Sequence, residues 1–155
     1  MRIVRVFKAN IGDVKDLQEI ERSCELSPWT LEGYLSEMRR KDTRSFIARR
    51  EDTAVGFIIG RIPPADGVVA EILNIGVVEE FRRHGIAKAL LVEFIEECKR
   101  RRISEVWLEA RVSNNVAIDF YRSNDFESKG IRQNFYQNPP EDAQLMTLKL
   151  TREIT

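Results

Sequence analysis

The segment from Val68 to Ala110 does most to limit what this chain can become. It opens with an apolar run, Val68 to Val77, that reads as a long strand, and closes with a second strand, Glu105 to Ala110. Between them Ile86, Leu90, Phe94 and Cys98 recur every fourth residue, with Ala87, Leu91 and Ile95 beside them. This is one wide apolar stripe on a helix running to Arg101. A strand–helix–strand unit calls for two parallel strands joined by a right-handed crossover. Ligands of such units gather outside the carboxyl ends of the strands. Those ends are Ile75-Gly76-Val77 and Glu109-Ala110. The turn before the helix and the loop Arg111 to Asn114 are therefore expected to project from one edge of the sheet.

That turn reads Arg82-Arg83-His84-Gly85-Ile86-Ala87. A helix N-terminus carries roughly half a positive charge and about four unpaired backbone N–H groups. Two arginines placed there repel the dipole and gain nothing locally. An anion reverses the sign, because arginines, N–H groups and dipole then attract one guest. The turn points to a phosphate-bearing ligand.

Elsewhere Ile3 to Phe7 reads as a strand, and Asp13 as the N-cap of a helix to about Cys24, with Val14, Leu17 and Ile20 on one side. Ser27-Pro28-Trp29-Thr30 restarts a helix through Leu31, Tyr34, Leu35 and Met38, ending near Lys41. Ser45 to Arg50 and Ala54 to Ile62 form a hairpin about Glu51-Asp52-Thr53, followed by the loop Pro63 to Gly67. Asn115 to Ser123 is a short helix. Phe126 to Ile131 and Gln144 to Thr151 are strands, separated by a loop that contains Asn138-Pro139-Pro140-Glu141-Asp142. The layout is mixed α/β, and without repeats or linkers it is expected to form a single domain over residues 1–155.

Twenty-five basic and twenty-five acidic residues cancel. No global field draws in nucleic acid or an anionic membrane, so neither is an expected partner. The basic clusters Arg39-Arg40-Lys41 and Lys99-Arg100-Arg101-Arg102 fall at helix C-termini, where cations suit the dipole. The N-terminus lacks a signal-peptide core, and the longest apolar run, Ala54 to Gly60, is far too short to span a bilayer. A cytoplasmic protein is expected. One histidine, with Cys24 and Cys98 outside any CxxC spacing, argues against a metal site, and Cys98 on the apolar stripe reads as a buried thiol.

Several residues near the shared edge have two readings on position alone. Glu109 ends a strand and is either solvated or part of the cleft. Asn114 or Ser113 caps the next helix, which does not exclude a ligand contact. Tyr121 is a core aromatic with its hydroxyl at the rim. His84 reads as an exposed spacer, and Trp29 as a packing residue that can also line a groove.

Arg82 to Ala87, following a strand and opening a helix, resembles the Arg/Gln-x-x-Gly-x-Gly/Ala signature of the GNAT superfamily of acetyl-CoA-dependent N-acetyltransferases. The resemblance extends through Ser27-Pro28-Trp29-Thr30, Asn74-Ile75-Gly76-Val77, Trp107-Leu108-Glu109-Ala110-Arg111, Ser113-Asn114 and Ala117-Ile118 with Tyr121. With Ile131 to Tyr136 and Glu141-Asp142-Ala143, these are similar to bacterial ribosomal-protein-alanine N-acetyltransferases and their archaeal N-terminal acetyltransferase relatives. Val78-Glu79-Glu80-Phe81 stands where the family commonly has Asp-Pro, Asn124-Asp125-Phe126 replaces Leu-Gly-Phe, and Ala87 replaces a frequent glycine.

The resemblance implies a GNAT fold: a mixed, mostly antiparallel sheet with a central parallel pair and helices on both faces. It implies acetyl-CoA as cosubstrate and no metal. Ile75, Gly76 and Val77 would align acetyl-CoA by their backbone, with the Val77 N–H facing the thioester carbonyl. Arg82, Arg83, His84, Gly85, Ile86 and Ala87 would cradle the pyrophosphate, and Asn114 would bond the pantetheine arm. Glu109 would be the general base and Tyr121 the general acid. The acceptor would be a protein N-terminus, that of a ribosomal protein beginning with alanine. It would lie between the Trp29 segment and the Asn134 to Asn138 loop of a monomer or weak homodimer. Acetylation of a small amine or lysine side chain, or a catalytically silent CoA-binding subunit, are the rival readings.

The chemistry suits those residue types. An α-amine titrates near about 8 and is mostly protonated at neutral pH, so a carboxylate must take a proton before attack. The oxyanion then needs a preorganised N–H, and the departing thiolate a proton from a phenol.

Overall fold

The computed structural model describes residues 3–24, 29–64 and 68–150. Its strands are β1 Val4–Lys8, β2 Thr43–Arg50, β3 Thr53–Arg61, β4 Val69–Val77, β5 Glu105–Arg111, β6 Glu127–Gln137 and β7 Pro140–Lys149. They form one sheet in the order β1-β2-β3-β4-β5-β7-β6. Every neighbouring pair is antiparallel except β4 and β5, which are parallel. The helices are α1 Val14–Ser23, α2 Leu31–Met38, α3 Ile86–Arg100 and α4 Asn115–Ser123.

Strand alternation sorts the core into two layers. Phe46, Ile58, Val106 and Leu108 pack with Leu90, Phe94 and Cys98 of α3 and with Ile118 and Tyr121 of α4. The alternate residues Ile47, Phe57 and Ile59 pack with Leu17 and Ile20 of α1 and Tyr34 of α2. Helices therefore cover both faces of an α/β sheet, as the resemblance implies. Leu90, Leu91 and Phe94 are at most 1% exposed. Each such side chain contributes about 1.5–3 kcal/mol on burial, so the stripe read from the sequence is what docks α3.

The pairing of β4 explains the cleft. Its ladder with β5 covers only Val69↔Glu105, Ala70↔Val106 and Glu71↔Trp107, although both strands continue. On its other side Ile59 pairs with Asn74 and Gly60 with Ile72, leaving Leu73 as an extra residue. Such a bulge bends its strand. β4 thus parts from β5 just beyond Glu71, and a wedge opens between two parallel strands. Gly60 faces the bulge. A Cβ there would lie 2.4 Å from the Glu71 carbonyl oxygen and 2.6 Å from the Phe94 ring, so only glycine admits both.

Three local readings need correction. Asp13 does not cap α1 with its side chain; Asn10 caps a 3₁₀ turn at Ile11–Asp13, and the Asp13 carboxylate accepts the Asn10 N–H at 2.8 Å in return. This reciprocal box satisfies two donors where the expected cap would satisfy one. The restart of α2 falls to Thr30, whose hydroxyl accepts the Gly33 N–H at 2.9 Å, and the helix ends at Met38. Ser27 and Pro28 lie outside the described residues. The expected loops, Asn138 to Asp142 between the last two strands and Asn134 to Asn138 beside the acceptor, are instead one hairpin that turns at Asn138-Pro139, with Gln137 paired to Pro140. A proline at the first residue of a strand costs no ladder bond. Arg111 holds the tip, donating to the carbonyls of Pro139 at 2.9 Å and Asn138 at 3.2 Å.

Candidate active site

The wedge between β4 and β5 holds a cavity of about 320 Å³ that reaches both layers of the core. Leu108 and Tyr121 line it from the α3–α4 side, and Trp29 and Leu73 from the α1–α2 side. Glu109, Asn114 and Ile75 lie on its wall, so topology brings these edge residues together, whereas residues 82–87 do not line it.

Glu109 alternates with Leu108 and Ala110, which turns its carboxylate away from the apolar layer and into the cleft. Its side chain is only 10% exposed, which removes the reading of a solvated strand end. Arg132 of β6 donates to Glu109 Oε1 at 2.8 Å, and the Tyr136 hydroxyl donates to the Glu109 carbonyl at 3.2 Å. The Arg111 guanidinium lies over the Tyr136 ring at 4.2 Å. Burial, with Glu109 nearby, pushes the Tyr136 hydroxyl up to about 12. Phe135 and Tyr136 line the cavity with Trp29, so both segments expected to flank the acceptor reach it.

Tyr121 is set by the end of α4. The Phe126 N–H donates to the Tyr121 carbonyl and the Asp125 N–H to that of Arg122, both at 3.1 Å. With Asp125 at φ 70, these bonds form a Schellman motif. The Tyr121 and Phe126 rings close it at 5.3 Å between centroids. The ring is 4% exposed, and its hydroxyl has no hydrogen-bond partner among the described residues. Burial, with a smaller contribution from Tyr136, raises the phenol above its usual range and keeps it protonated. At the other end of α4, Asn114 rather than Ser113 is the cap, accepting the Ala117 N–H at 3.1 Å. Its amide nitrogen remains able to donate into the cavity.

At the α3 end, Gly85 stands in the left-handed region at φ 77, and Arg83 precedes it at φ 65. No side chain caps the helix, and its first turn has no acidic residue. The leading N–H groups of Ile86 and Ala87 are thus presented to an anion. Arg82 turns inward instead, donating from Nε to the Val77 carbonyl at 2.9 Å and tying the turn to β4. His84 and Ile86 also line a separate groove of about 760 Å³ beside β1, and the Ile86 side chain packs in the α3–α4 layer of the core.

Ile75 borders the wedge, and Gly76 and Val77 end β4 beyond it. The Val78 N–H donates to the Val55 carbonyl of β3 at 2.9 Å, so strand alternation aims the Val77 N–H the opposite way, toward β5. The Ile75 N–H is taken by its neighbour, the Asn74 side-chain oxygen, at 3.1 Å. Cys24 donates from Sγ to the Val77 carbonyl at 3.3 Å. Cys98, by contrast, is fully buried, and burial pushes its thiol up to about 12.

Two carboxylates escaped the sequence reading. Glu21 is 1% exposed and accepts the Trp29 N–H at 2.7 Å, the Tyr34 hydroxyl, and Asn74 Nδ2 at 3.3 Å. Burial raises its pKa. It fixes the Trp29 backbone beside the cavity. Its signal was a carboxylate seven residues after Val14, on the apolar stripe of α1. Glu71 lines the cavity from β4, and its signal was a lone charge inside an apolar strand.

An open N–H cradle, a wedge between parallel strands, and a carboxylate and a protonated phenol on one cavity suit acyl transfer from an anionic thioester to an amine. These features define an acetyl-CoA-dependent N-acetyltransferase. The acetyltransferase (GNAT) family profile matches residues 14–126, and the chain belongs to that family. It is 33% identical over 141 residues to the ribosomal protein bS18-alanine N-acetyltransferase of Haemophilus ducreyi, covering 89% of this chain and 94% of that protein. It is 28% identical over 156 residues to an N-alpha-acetyltransferase of Sulfurisphaera tokodaii, covering 94% and 93%. The crystal structure of the ribosomal-protein-S18-alanine N-acetyltransferase from Escherichia coli matches with a TM-score of 0.86 at 27% identity, over 97% of this chain and 96% of that one.

Proposed function

We propose that this chain, acting as one domain in the cytoplasm, transfers acetyl from acetyl-CoA to the N-terminal α-amine of a protein. A ribosomal protein beginning with alanine is the first acceptor to test, on the likeness to the bS18-alanine acetyltransferases. The observation that carries the reading is the meeting of Glu109 and Tyr121 on one cavity, from opposite layers, where β4 and β5 part.

In this reading Gly85, Ile86 and Ala87 hold the pyrophosphate by their N–H groups, with Arg83 and His84 flanking and Arg82 bracing the turn. Asn114 donates to the pantetheine arm, which continues the sheet between Ile75-Gly76-Val77 and β5. The Val77 N–H stabilises the oxyanion. Glu109 accepts a proton from the amine, and Tyr121 supplies one to the sulfur.

An acetylation screen over N-terminal peptides, with N-terminally blocked lysine peptides and polyamines alongside, tests the proposal. Transfer to free N-termini, with alanine-initiated peptides foremost, is the expected result. Transfer confined to polyamines or lysine side chains overturns it in favour of the small-amine or lysine reading. Tight CoA binding with no transfer overturns it in favour of a regulatory subunit.

A further inference from the structure

The cation that meets Glu109 comes from two strands away. β7 lies between β5 and β6, which sets those two strands about 9.5 Å apart. Only a long side chain spans that gap. Glu109 stands opposite Leu145, which also pairs with Gly130; two residues earlier on β7, Ala143 pairs with Arg132. Residues directly opposite share a face, so these positions all lie on the Glu109 side of the sheet. Gly130 carries no side chain and Ala143 a single methyl, which leaves Arg132 a lane across β7. Its Nη1 donates to Glu109 Oε1 at 2.8 Å, while Oε2 accepts no hydrogen bond among the described residues.

The end of β6 is shaped to aim this arginine. Gln133, Asn134 and Phe135 stand opposite Asp142 alone, between the pairs Arg132↔Ala143 and Tyr136↔Glu141. Asn134 takes the left-handed region at φ 55 and donates its N–H to Asp142 Oδ1 at 2.8 Å. The bulge brings the Phe135 ring to 4.9 Å from the Arg132 guanidinium, and a ring face attracts a cation. Glu71, the other carboxylate on the cavity, also feels the charge of Arg132, yet the ion pair is made with Glu109. A pair exposed on both sides holds little, but the Glu109 side chain is largely shielded from water and depends on this donor.

We infer that Arg132 is a positioning residue for the general base, pinning Glu109 by Oε1 so that Oε2 is left to the acceptor amine. The inference rests on the proposed transfer to an α-amine with Glu109 as base. A carboxylate turns broadly about its last bond and, unheld, offers either oxygen in many orientations. Held by Oε1, it offers one oxygen in one orientation. As the C–N bond forms, the nitrogen passes its proton to Oε2. Arg132 keeps its own protons throughout, because a guanidinium does not ionise in this range. It acts on the reaction only through Glu109.

The test is a double-mutant cycle on kcat and KM for an alanine-initiated peptide, built from Arg132→Gln and Glu109→Gln, with Arg132→Lys beside it. Arg132→Gln is expected to lower kcat about tenfold with the peptide KM held, because the base is misaimed rather than removed. Arg132→Lys is expected to recover most of that loss, since one N–H on one oxygen needs a charge but no fork. In the Glu109→Gln background, Arg132→Gln is expected to cost nothing further, the mark of two residues acting as a unit. A wild-type kcat in Arg132→Gln overturns this inference alone. So does a lysine no better than glutamine, a loss in KM only, or a full second loss on top of Glu109→Gln. Wild-type turnover in Glu109→Gln removes the base and this inference with it, and a wild type inert on all peptide N-termini overturns the functional reading as a whole.

Discussion

At the scale of single residues, the site depends on groups whose surroundings differ although their chemistry is ordinary. Tyr121 is buried, its hydroxyl has no hydrogen-bond partner among the described residues, and burial raises its pKa. It therefore stays a donor through neutral and mildly alkaline pH. A thiolate leaving beside the same buried ring is also desolvated and gains affinity for protons, which keeps donor and acceptor matched. Tyr121→Phe and Glu109→Gln are each expected to lower kcat by about 100-fold. Acetyl-CoA affinity and thermal stability should barely change for Tyr121→Phe, because no hydrogen bond to a described residue is lost. Steady-state kinetics beside a melting curve checks this; unchanged turnover in both variants would discard both roles.

At the scale of elements, helix ends do the positioning. α3 is left without a side-chain cap where the proposed pyrophosphate would sit, α4 is capped by Asn114, and α4 closes in a Schellman motif whose ring contact orients Tyr121. That motif places Asp125 at φ 70, where the family has glycine. A left-handed residue with a Cβ costs about 1–2 kcal/mol, somewhat less for Asp, against about 0.5–1 kcal/mol of extra chain entropy for glycine. Asp125→Gly should accordingly stabilise the protein by about 0.5 kcal/mol, with activity retained. Chemical denaturation would show it as a shifted midpoint at constant slope, and a destabilised variant would contradict the motif.

At the scale of the whole molecule, acetyl-CoA is expected to bridge parts that the sheet alone leaves separate. Binding at about 100 times Kd adds about 2.7 kcal/mol. In a chain of this length that raises Tm by roughly 5–10 °C. The double variant Arg82→Glu with Arg83→Glu should lose most of that rise, since it opposes the dipole's attraction for the pyrophosphate. Differential scanning fluorimetry with and without acetyl-CoA measures it. A rise that survives charge reversal would remove the anion from the α3 turn.

The sequence by itself determined the order of elements, the α3 stripe, the parallel β4–β5 pair and the edge on which Glu109 and Asn114 gather. Periodicity and crossover handedness are local or topological rules, so they act before any packing is known. The Leu73 bulge, the early end of the β4–β5 ladder, and the burial of Glu21 and Glu71 were decided only in the tertiary structure. Each depends on partners distant in the chain: Gly60 and Phe94 against the bulge, Tyr34 and Asn74 around Glu21, Arg61 and Arg132 beside Glu71. A side chain's identity is written in the chain, but the dielectric around it and the cations already spent on its neighbours exist only once the sheet is assembled.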